Sequence, residues 1–369
     1  MQCFLILFWI GSTMNGSCVE DGQNCSISEF KRSVFPAVYL LIFVIGLSAN
    51  LISLCLFLKM WRTQRTLSSV NLFIVNLLLS DLMLICTLPF RASYYINNSN
   101  WVFGDVICRL MSYVFYVNMY GSIYFLMVLS VIRYVAINKP FTYMRQQNYR
   151  YTWLSCLSIW LLVSLASIPK LFSGTKQSED KVMCLELLNP KADLLNTIII
   201  MNYGALLFGF LIPFLVLLVC YLFVVHRLLR HNNVTTHRQQ YKKAGSLAII
   251  VLFIFLVCFL PYHVARTIFL QAEWDLCTSG TRGSCGYITG VRKAAVITHC
   301  LAAANSCLDP LLYFIVGENF RKFWRKSKRQ IHHNNEQRKM GDVTKTEVQL
   351  RSYPRWDLLK WPQQRFQEI

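Results

Sequence analysis

The chain has 369 residues, of which 55% are hydrophobic and only 15% are charged, and its mean hydropathy is +0.40. A soluble domain of this length rarely stays dispersed with so few charges, which excludes an ordinary soluble protein. The formal net charge of +19 would suit a nucleic-acid-binding protein, but the long apolar runs of the chain argue against that partner.

Residues 1–30 are predicted to form an external N-terminal segment. Its apolar start at 3–10 is too short to cross a bilayer. It lacks a positively charged beginning and a clear cleavage site, so the question of a signal peptide stays open. Glycosylation acceptor sequences begin at Asn15, Asn24 and Asn97, all of which lie outside if the N-terminus is outside, and a further one at Asn233 falls inside.

Seven apolar runs follow, each reaching the roughly 20 residues that a helix needs to span a bilayer. They lie near 34–58, 70–92, 108–131, 152–172, 195–225, 245–270 and 291–316. The predicted fold is therefore an all-α membrane protein, a bundle of seven transmembrane helices within one domain at 31–328. No internal repeat is visible in the sequence, which disfavours a transporter.

A short amphipathic helix on the membrane surface is predicted at 318–328, after the seventh span. Phe320, Phe323 and Trp324 share one face, and basic residues take the other. Residues 329–369 are polar and charged, so a disordered cytoplasmic tail that kinases can reach is expected. The basic inner face predicts contact with anionic membrane lipid and with a cytosolic partner.

The external cysteines predict disulfide bonds. Cys108 stands at the outer end of the third run and Cys184 lies in the long external loop, so a bond between them can hold that loop over the bundle. One or two further bridges can join the remaining external cysteines, which are Cys18, Cys25, Cys277 and Cys285. The pairing Cys25–Cys277 is the one predicted here, although spacing alone leaves the others open.

Five polar residues lie at comparable depth within the apolar runs. They are Asn50, Asp81, Ser122, Asn305 and Asp309. A buried carboxylate in a membrane span needs a compensating partner or ion, and carboxylate, amide and hydroxyl oxygens are ligands for hard cations. The pattern predicts a Na⁺ site or an ordered water cluster, with unrelated helix–helix hydrogen bonds as the alternative.

The inner ends of the helices carry a second polar set. Arg133 and Tyr134 end the third run, Phe141 follows them, and Tyr221 and Tyr313 end two other helices on the same face. An arginine at the inner boundary can reach lipid headgroups or insert into a partner when the bundle opens.

One characteristic residue in each span resembles rhodopsin-like (class A) G-protein-coupled receptors. These residues are Asn50, Asp81, Arg133, Trp160, Pro213, Pro261 and Pro310, together with the Cys108/Cys184 pair. Within that family, several motifs look like cysteinyl leukotriene receptors, nearer the second subtype. They include Thr87-Leu88-Pro89-Phe90-Arg91, Tyr116-Val117-Asn118-Met119-Tyr120 and Cys258-Phe259-Leu260-Pro261-Tyr262-His263.

The sequence departs from the wider family at two places. Ile132 replaces the acid that usually precedes Arg133, so that arginine lacks its usual ion pair within the motif. Phe259 replaces the usual tryptophan on the sixth helix, a feature that this branch shares. His299 also faces inward where leucine would be expected, as a pocket donor or as a packing residue.

Basic and aromatic residues in the outer halves of the helices predict a pocket for an amphipathic anion. They are Arg91, Tyr116, Tyr262, His263 and Arg266, with Lys31 and Lys293 at the rim. Charge-assisted bonds would orient an anionic head, and apolar burial would supply most of the affinity. Each cation could instead reach lipid headgroups, and nucleotides or other small anions would also suit a basic pocket.

The resemblance implies a cysteinyl leukotriene as the ligand. It places the head group on Arg91, Tyr116, Arg266 and Lys31, and it places His263 and Ser167 near the apolar tail. Tyr120 and His299 complete the predicted set.

The resemblance also implies how such a ligand would signal. Binding would act through Phe255 and Phe259 beside the Pro261 kink, and Arg133 and Phe141 would then engage a G protein of the Gq/11 branch. Arrestin and receptor kinases are further implied partners, and the plasma membrane is the implied location. Since Ile132 alters the coupling motif, a binding receptor with weak or no coupling stays an alternative. Neither an enzyme nor a cofactor other than allosteric Na⁺ is expected.

Overall fold

Seven long helices and one β-hairpin make up the described part of the chain in this computed structural model, which covers residues 25–64, 69–138, 149–172, 174–178, 181–184, 192–230, 249–279 and 285–316. Helix α1 is Ser28–Gln64, α2 is Ser69–Ile96, α3 is Asp105–Asn138, and α4 is Tyr149–Ser167, continued by a 3₁₀ turn at Ile168–Phe172. Helix α5 comprises Ala192–Gly204, a π turn at Ala205–Leu211 and Ile212–Arg230. Helix α6 comprises 249–254, a π turn at Phe255–Phe259 and Leu260–Ser279. Helix α7 is Cys285–Val316.

The helices coincide with the seven predicted runs, which confirms the predicted helical bundle. Among the described residues, six helices are long and apolar enough to cross a membrane. Helix α7 is 32 residues long but carries His299, Asn305 and Asp309 in its middle, and these polar residues lower its hydropathy. Several helices extend beyond their apolar runs because a helix keeps its backbone groups paired outside the bilayer as well.

The bundle buries its polar residues and exposes apolar ones to the lipid. Helix α2 lies deep in the bundle, with 67% of its apolar window buried, whereas only 22% of the window of α4 is buried. Leu161 and Leu165 of α4 are each 53% exposed, while Asp81 of α2 is fully buried. This distribution is expected where lipid replaces water around the helices.

Two helices contain a wide π-helical turn directly before a proline. The turn Ala205–Leu211 precedes Pro213 in α5, and the turn Phe255–Phe259 precedes Pro261 in α6. Proline cannot donate to the carbonyl four residues earlier and its ring crowds that carbonyl, so a wider turn accommodates it. The π turns place Phe210, Phe255 and Phe259 fully inside the bundle.

The long external loop forms a β-hairpin, which the sequence analysis did not predict. Strand β1, Thr175–Ser178, pairs antiparallel with β2, Lys181–Cys184. The predicted disulfide Cys108–Cys184 is confirmed and ties β2 to the outer end of α3. Trp101 is buried against this disulfide, and its backbone N–H donates to Val182 O at 2.7 Å.

The predicted pairing Cys25–Cys277 is wrong, because Cys25 is bonded to Cys285. Cys285 begins α7 beside the start of α1, whereas Cys277 lies at the end of α6 and packs with Leu195 of α5. Cys277 is itself disulfide-bonded. The two cysteines are eight residues apart between the sixth and seventh runs, so the sequence alone does not show which of them lies beside Cys25.

An ion pair reinforces the Cys25–Cys285 bridge. Arg292 of α7 binds both carboxylate oxygens of Glu273 of α6, at 2.7 and 3.0 Å, and donates to Cys25 O at 3.0 Å. The outer ends of α6 and α7 are therefore held to the start of α1.

Several predictions fall on parts of the chain outside the described residues. These are the segment at 318–328, the tail at 329–369, Asn15, Asn24 and Phe141. Asn97 is described and exposed, and its Nδ2 lies 3.4 Å from Ser93 Oγ. Glycosylation at all three asparagines stays a prediction.

Candidate functional site

A continuous layer of aromatic rings lines the outer half of the bundle. Tyr116 and Tyr120 of α3 stack with centroids 6.3 Å apart, and the Tyr262 hydroxyl of α6 donates to the Tyr116 hydroxyl at 3.3 Å. His299 of α7 stacks on Phe115 at 4.1 Å with an interplanar angle of 14°. Rings from three helices thus contact one another in the outer half of the bundle.

Two buried polar atoms adjoin this layer without a hydrogen-bond partner among the described residues. They are Nε2 of His263 on α6 and Oγ of Ser167 on α4. His263 stacks on Phe210 of α5 at 4.7 Å and is 2% exposed, and Ser167 is 3% exposed. A buried polar group without a partner is costly, so such atoms commonly mark a position for water or ligand.

The two predicted arginines lie above the rings on opposite helices. Arg91 of α2 donates from Nη2 to Met111 O at 2.8 Å, and its Cζ lies 5.4 Å from the Phe115 ring centroid. Its Nε has no hydrogen-bond partner among the described residues. Arg266 of α6 lies 5.4 Å from the Phe269 ring, one turn beyond Tyr262. Both guanidinium groups retain donors for an anion.

The lysines occupy different places. Lys293 is exposed at the outer part of α7, where its Nζ lies 5.5 Å from the Phe30 ring, and Lys31 is partly buried near the start of α1. Lys170, which the sequence analysis did not select, lies 4.5 Å above the Tyr116 ring. Lys170 is therefore in contact with the aromatic layer, whereas Lys31 and Lys293 stay at its rim.

Glycine at position 209 is required by the close approach of Tyr120. A Cβ at Gly209, in the π turn of α5, would lie 2.5 Å from Tyr120 Cε1 and 2.8 Å from Cδ1. Since these distances are below van der Waals contact, any larger residue would push the ring into the site. The π turn and the glycine together set the shape of this wall.

The five predicted polar residues of the inner level are each fully buried. Asn50 Nδ2 donates to Ser306 O at 2.9 Å, which links α1 to α7. Asn118 of α3, which was not predicted, donates to Asp81 Oδ1 at 3.2 Å. The carboxylates of Asp81 and Asp309 both act electrostatically on the Cys307 thiol, so they share one neighbourhood.

Much of this cluster's hydrogen-bonding capacity is unused by the described residues. Both oxygens of Asp309, both amide atoms of Asn305 and Oγ of Ser122 have no partner there. The described residues contain no group of three or more His, Cys, Asp or Glu that could hold a metal. Carboxylate, amide and hydroxyl oxygens suit a small hard cation or water instead.

Comparison with known proteins identifies the family. A family model for seven-transmembrane receptors of the rhodopsin family matches residues 49–313. Cysteinyl leukotriene receptor 2 of Homo sapiens is 44% identical over 314 residues, which cover 85% of this chain and 86% of that protein. The chain belongs to the rhodopsin family of seven-transmembrane receptors.

Two other relatives of this receptor carry related names. Cysteinyl leukotriene receptor 1 of Cavia porcellus is 36% identical over 314 residues, covering 84% of this chain and 86% of that protein. The uracil nucleotide/cysteinyl leukotriene receptor of Homo sapiens is 35% identical over 315 residues, covering 84% and 81%. The chain is therefore a multi-pass plasma-membrane G-protein-coupled receptor and not an enzyme, with a ligand and a G protein as its two partners.

Several residues predicted for coupling to a G protein lie in the inner half of the bundle. Phe255 and Phe259 are fully buried in the π turn of α6, with ring centroids 5.5 Å apart. The Tyr221 hydroxyl of α5 lies 2.7 Å from Ser130 Oγ of α3. This bond joins α3 to α5 one turn from Arg133.

The other residues predicted for coupling are Arg133, Tyr134 and Tyr313. The Tyr134 ring of α3 lies 5.7 Å from that of Phe223 on α5. Arg133 is half-buried beside it, at the inner end of α3. Tyr313 lies in α7, and its side chain is outside the described part of the chain.

Proposed function

We propose that this receptor binds a cysteinyl leukotriene, an amphipathic anionic lipid, and signals through Gq/11 to calcium. The observation that carries the proposal is the aromatic layer on Tyr116 and Tyr262 with Arg91 and Arg266 above it. Arginine forks suit carboxylates, and the rings and aliphatic walls suit a long apolar tail. Relatives at 44% and 36% identity are named for the same ligand class.

The geometry suggests a role for each predicted residue. Arg91, Arg266 and Tyr116 would hold the anionic head, while Tyr120, His263 and Ser167 would border the tail. Tyr262 and His299 would close the wall between α6 and α7, since both lie within ring contact of Phe115. Lys31 and Lys293 at the rim would attract the anion and hold it less tightly, because exposed charges are screened by water and salt.

A nucleotide is the second candidate ligand. One relative is named as a uracil nucleotide/cysteinyl leukotriene receptor, and arginines beside aromatic rings also suit phosphates and bases. The buried, largely apolar floor around Phe210 and His263 favours a lipid tail over a ribose.

Signalling would follow from the packing of α6. Ligand contacts on Tyr262 and His263 adjoin the π turn with Phe255 and Phe259, so ligand binding would bias two packings of α6 around Pro261. The inner end of α6 would then move away and expose Arg133, with Phe141, to the G protein. Arrestin and receptor kinases are further proposed partners at this face.

The test is a calcium assay in cells that express the full chain at the surface. Cysteinyl leukotrienes and a uracil nucleotide panel would be titrated with and without a Gq/11 inhibitor. We expect a leukotriene response that the inhibitor abolishes. A response to nucleotides alone would favour the second candidate. Surface expression and ligand binding without any G-protein activation would favour a binding receptor.

We also propose that the cluster of Asn50, Asp81, Ser122, Asn305 and Asp309 binds Na⁺ and favours the resting packing. The unused oxygens of Asp309, Asn305 and Ser122 support this proposal, because a buried carboxylate needs a compensating charge. An ion that binds one packing better must oppose an agonist that binds the other.

Replacing Asp309 by asparagine is therefore expected to remove the effect of Na⁺ on agonist binding. In the wild type, exchanging an inert organic cation for Na⁺ at constant ionic strength should weaken agonist affinity about fivefold or more. Ser53→Ala is the matched control, since Ser53 is buried in α1 and its hydroxyl donates to Ala49 O of its own helix. An unchanged sodium effect in Asp309→Asn would contradict the site.

A further inference from the structure

We propose that Lys170 is a further ligand-binding residue, whose ammonium group binds a carboxylate of the anionic ligand beside Tyr116. The inference rests on the proposed function, since it requires an anionic ligand. It adds that the ligand carries a second anionic group apart from the one held by Arg91.

The position of Lys170 within the site follows from its contact with Tyr116. Its Nζ lies 4.5 Å from the centroid of the Tyr116 ring, whose hydroxyl accepts from Tyr262. The ring holds the ammonium group by its negative face and leaves N–H donors directed away from it. A carboxylate lying along Tyr116 would therefore meet both a phenol and an ammonium group.

The 3₁₀ turn at Ile168–Phe172 directs Lys170 inward. Lys170 follows the last residue of α4, Ser167, by three residues, and Ser167 is 3% exposed, so this face of the chain is turned toward the bundle. Ile168 is 38% exposed and Phe172 is 72% exposed, so these side chains of the turn face away from the bundle. An inward ammonium group over a pocket ring argues against contact with lipid headgroups.

A network of charged residues holds this turn in place. Arg109 of α3 donates from Nη1 to Leu171 O at 2.7 Å and from Nε to Asp105 Oδ2 at 2.6 Å. Asp105 in turn accepts from the backbone N–H of Thr175 at 2.7 Å. The turn is thus fixed to α3 on one side and to the β-hairpin on the other, so little ordering entropy remains to be lost when Lys170 binds an anion.

The charge of Lys170 is not paired with an acid within the described part of the chain. Among the described residues, no carboxylate lies within ion-pair distance of its Nζ, and its contact is the Tyr116 ring. The nearest acid of the turn, Asp105, is already bound to Arg109 and Thr175. An anionic ligand would therefore supply a partner that the described residues do not provide.

The cations near Tyr116 come from different helices. Lys170, Arg266 and Arg91 all act electrostatically on the Tyr116 hydroxyl. Lys170 reaches it from α4, while Arg91 packs over Phe115 from the α2 side. Lys170 on the Tyr116 ring and Arg91 on the neighbouring Phe115 ring are two separate cationic positions. They suit a ligand with two separate carboxylates better than one with a single anionic group.

The test compares Lys170→Gln with Lys181→Gln in the full-length receptor, using a cysteinyl leukotriene and its carboxylate methyl esters as probes. Lys181 is the matched control because it is exposed on β2. We expect Lys170→Gln to lower the potency of the free acid by about 10-fold to 100-fold. Against the ester that lacks the carboxylate bound by Lys170, the variant and the wild type should be equal, and Lys181→Gln should match the wild type throughout.

The outcomes separate this inference from the proposed function. A wild-type response to the free acid that Lys170→Gln leaves unchanged would overturn the role of Lys170 and leave the ligand class standing. An equal loss of potency for the acid and for every ester would show a structural effect and would also overturn it. A wild type that is expressed but does not bind the leukotriene would overturn the ligand class and, with it, the carboxylate contact.

Discussion

Replacing Arg91 by alanine is expected to lower the potency of an anionic agonist by about 100-fold, because a charge-assisted hydrogen bond from a largely buried guanidinium contributes roughly 1.5–3 kcal/mol. The effect should be large because Arg91 lies over Phe115 and its buried Nε has no hydrogen-bond partner among the described residues. Arg91→Lys keeps the positive charge but cannot form two parallel hydrogen bonds with a carboxylate, so an intermediate loss of potency is expected. Potency is measured as calcium release against agonist concentration, and affinity by radioligand competition.

Arg32→Ala is the matched control for this prediction. Arg32 is also an external arginine with a side-chain hydrogen bond, at 2.8 Å to Asn98 Oδ1, but it is exposed outside the aromatic layer. Its replacement should leave potency within about twofold of the wild type, as is usual for exposed charges. Arg266→Ala should weaken the agonist in the same way as Arg91→Ala. Wild-type potency in both Arg91→Ala and Arg266→Ala would contradict the cationic pocket.

Removing the Cys108–Cys184 disulfide by a double serine replacement is expected to abolish high-affinity ligand binding and to lower surface expression. The bond holds β2, and with it the buried Trp101, against α3 above the site. Loss of a native disulfide typically costs 2–5 kcal/mol, and here the lost order lies directly at the ligand site. Ligand binding to membranes, normalised to surface receptor, measures the effect.

Two comparisons make the disulfide prediction specific. Replacement of Cys86, which is a free and exposed cysteine of α2, should change neither binding nor expression. Removal of Cys25–Cys285 should have a smaller effect, because the hydrogen bond from Arg292 to Cys25 O still holds the start of α1 against α7. Equal losses from the two disulfides would show that the hairpin has no special role above the site.

Polarity within apolar runs was sufficient to predict polar residues that lie buried inside the bundle. Asp81 and Asp309 are conspicuous within their spans because a carboxylate in hydrocarbon is costly, and both prove to be fully buried in one neighbourhood. Asn118 also contacts Asp81 but was not predicted to belong to the polar cluster. An asparagine between tyrosines in a helix can bond its own backbone, a neighbouring helix or a ligand, and the sequence does not distinguish these partners. Only its contact with Asp81 distinguishes them.

The outer pocket was predicted less completely. Arg91, Tyr116 and Tyr262 were found because cations and aromatic rings recur at the same depth of several spans. Lys170 was not predicted as a site residue, because a lysine at the end of a membrane span usually reaches toward lipid headgroups at the interface. The 3₁₀ turn, which the sequence does not reveal, directs it onto Tyr116.

The sequence by itself determined the seven spans, the family and the chemical character of the outer aromatic layer and the inner polar cluster. Hydropathy and the cost of burying a charge can be assessed for each residue from the apolar run in which it lies. Tertiary structure alone decided which cysteine pairs with Cys25, how the external loop forms a hairpin, and where π turns bring Tyr120 against Gly209. These features depend on how helix ends and side chains meet across the bundle. Residues that are close in sequence, such as Cys277 and Cys285, can therefore have different partners.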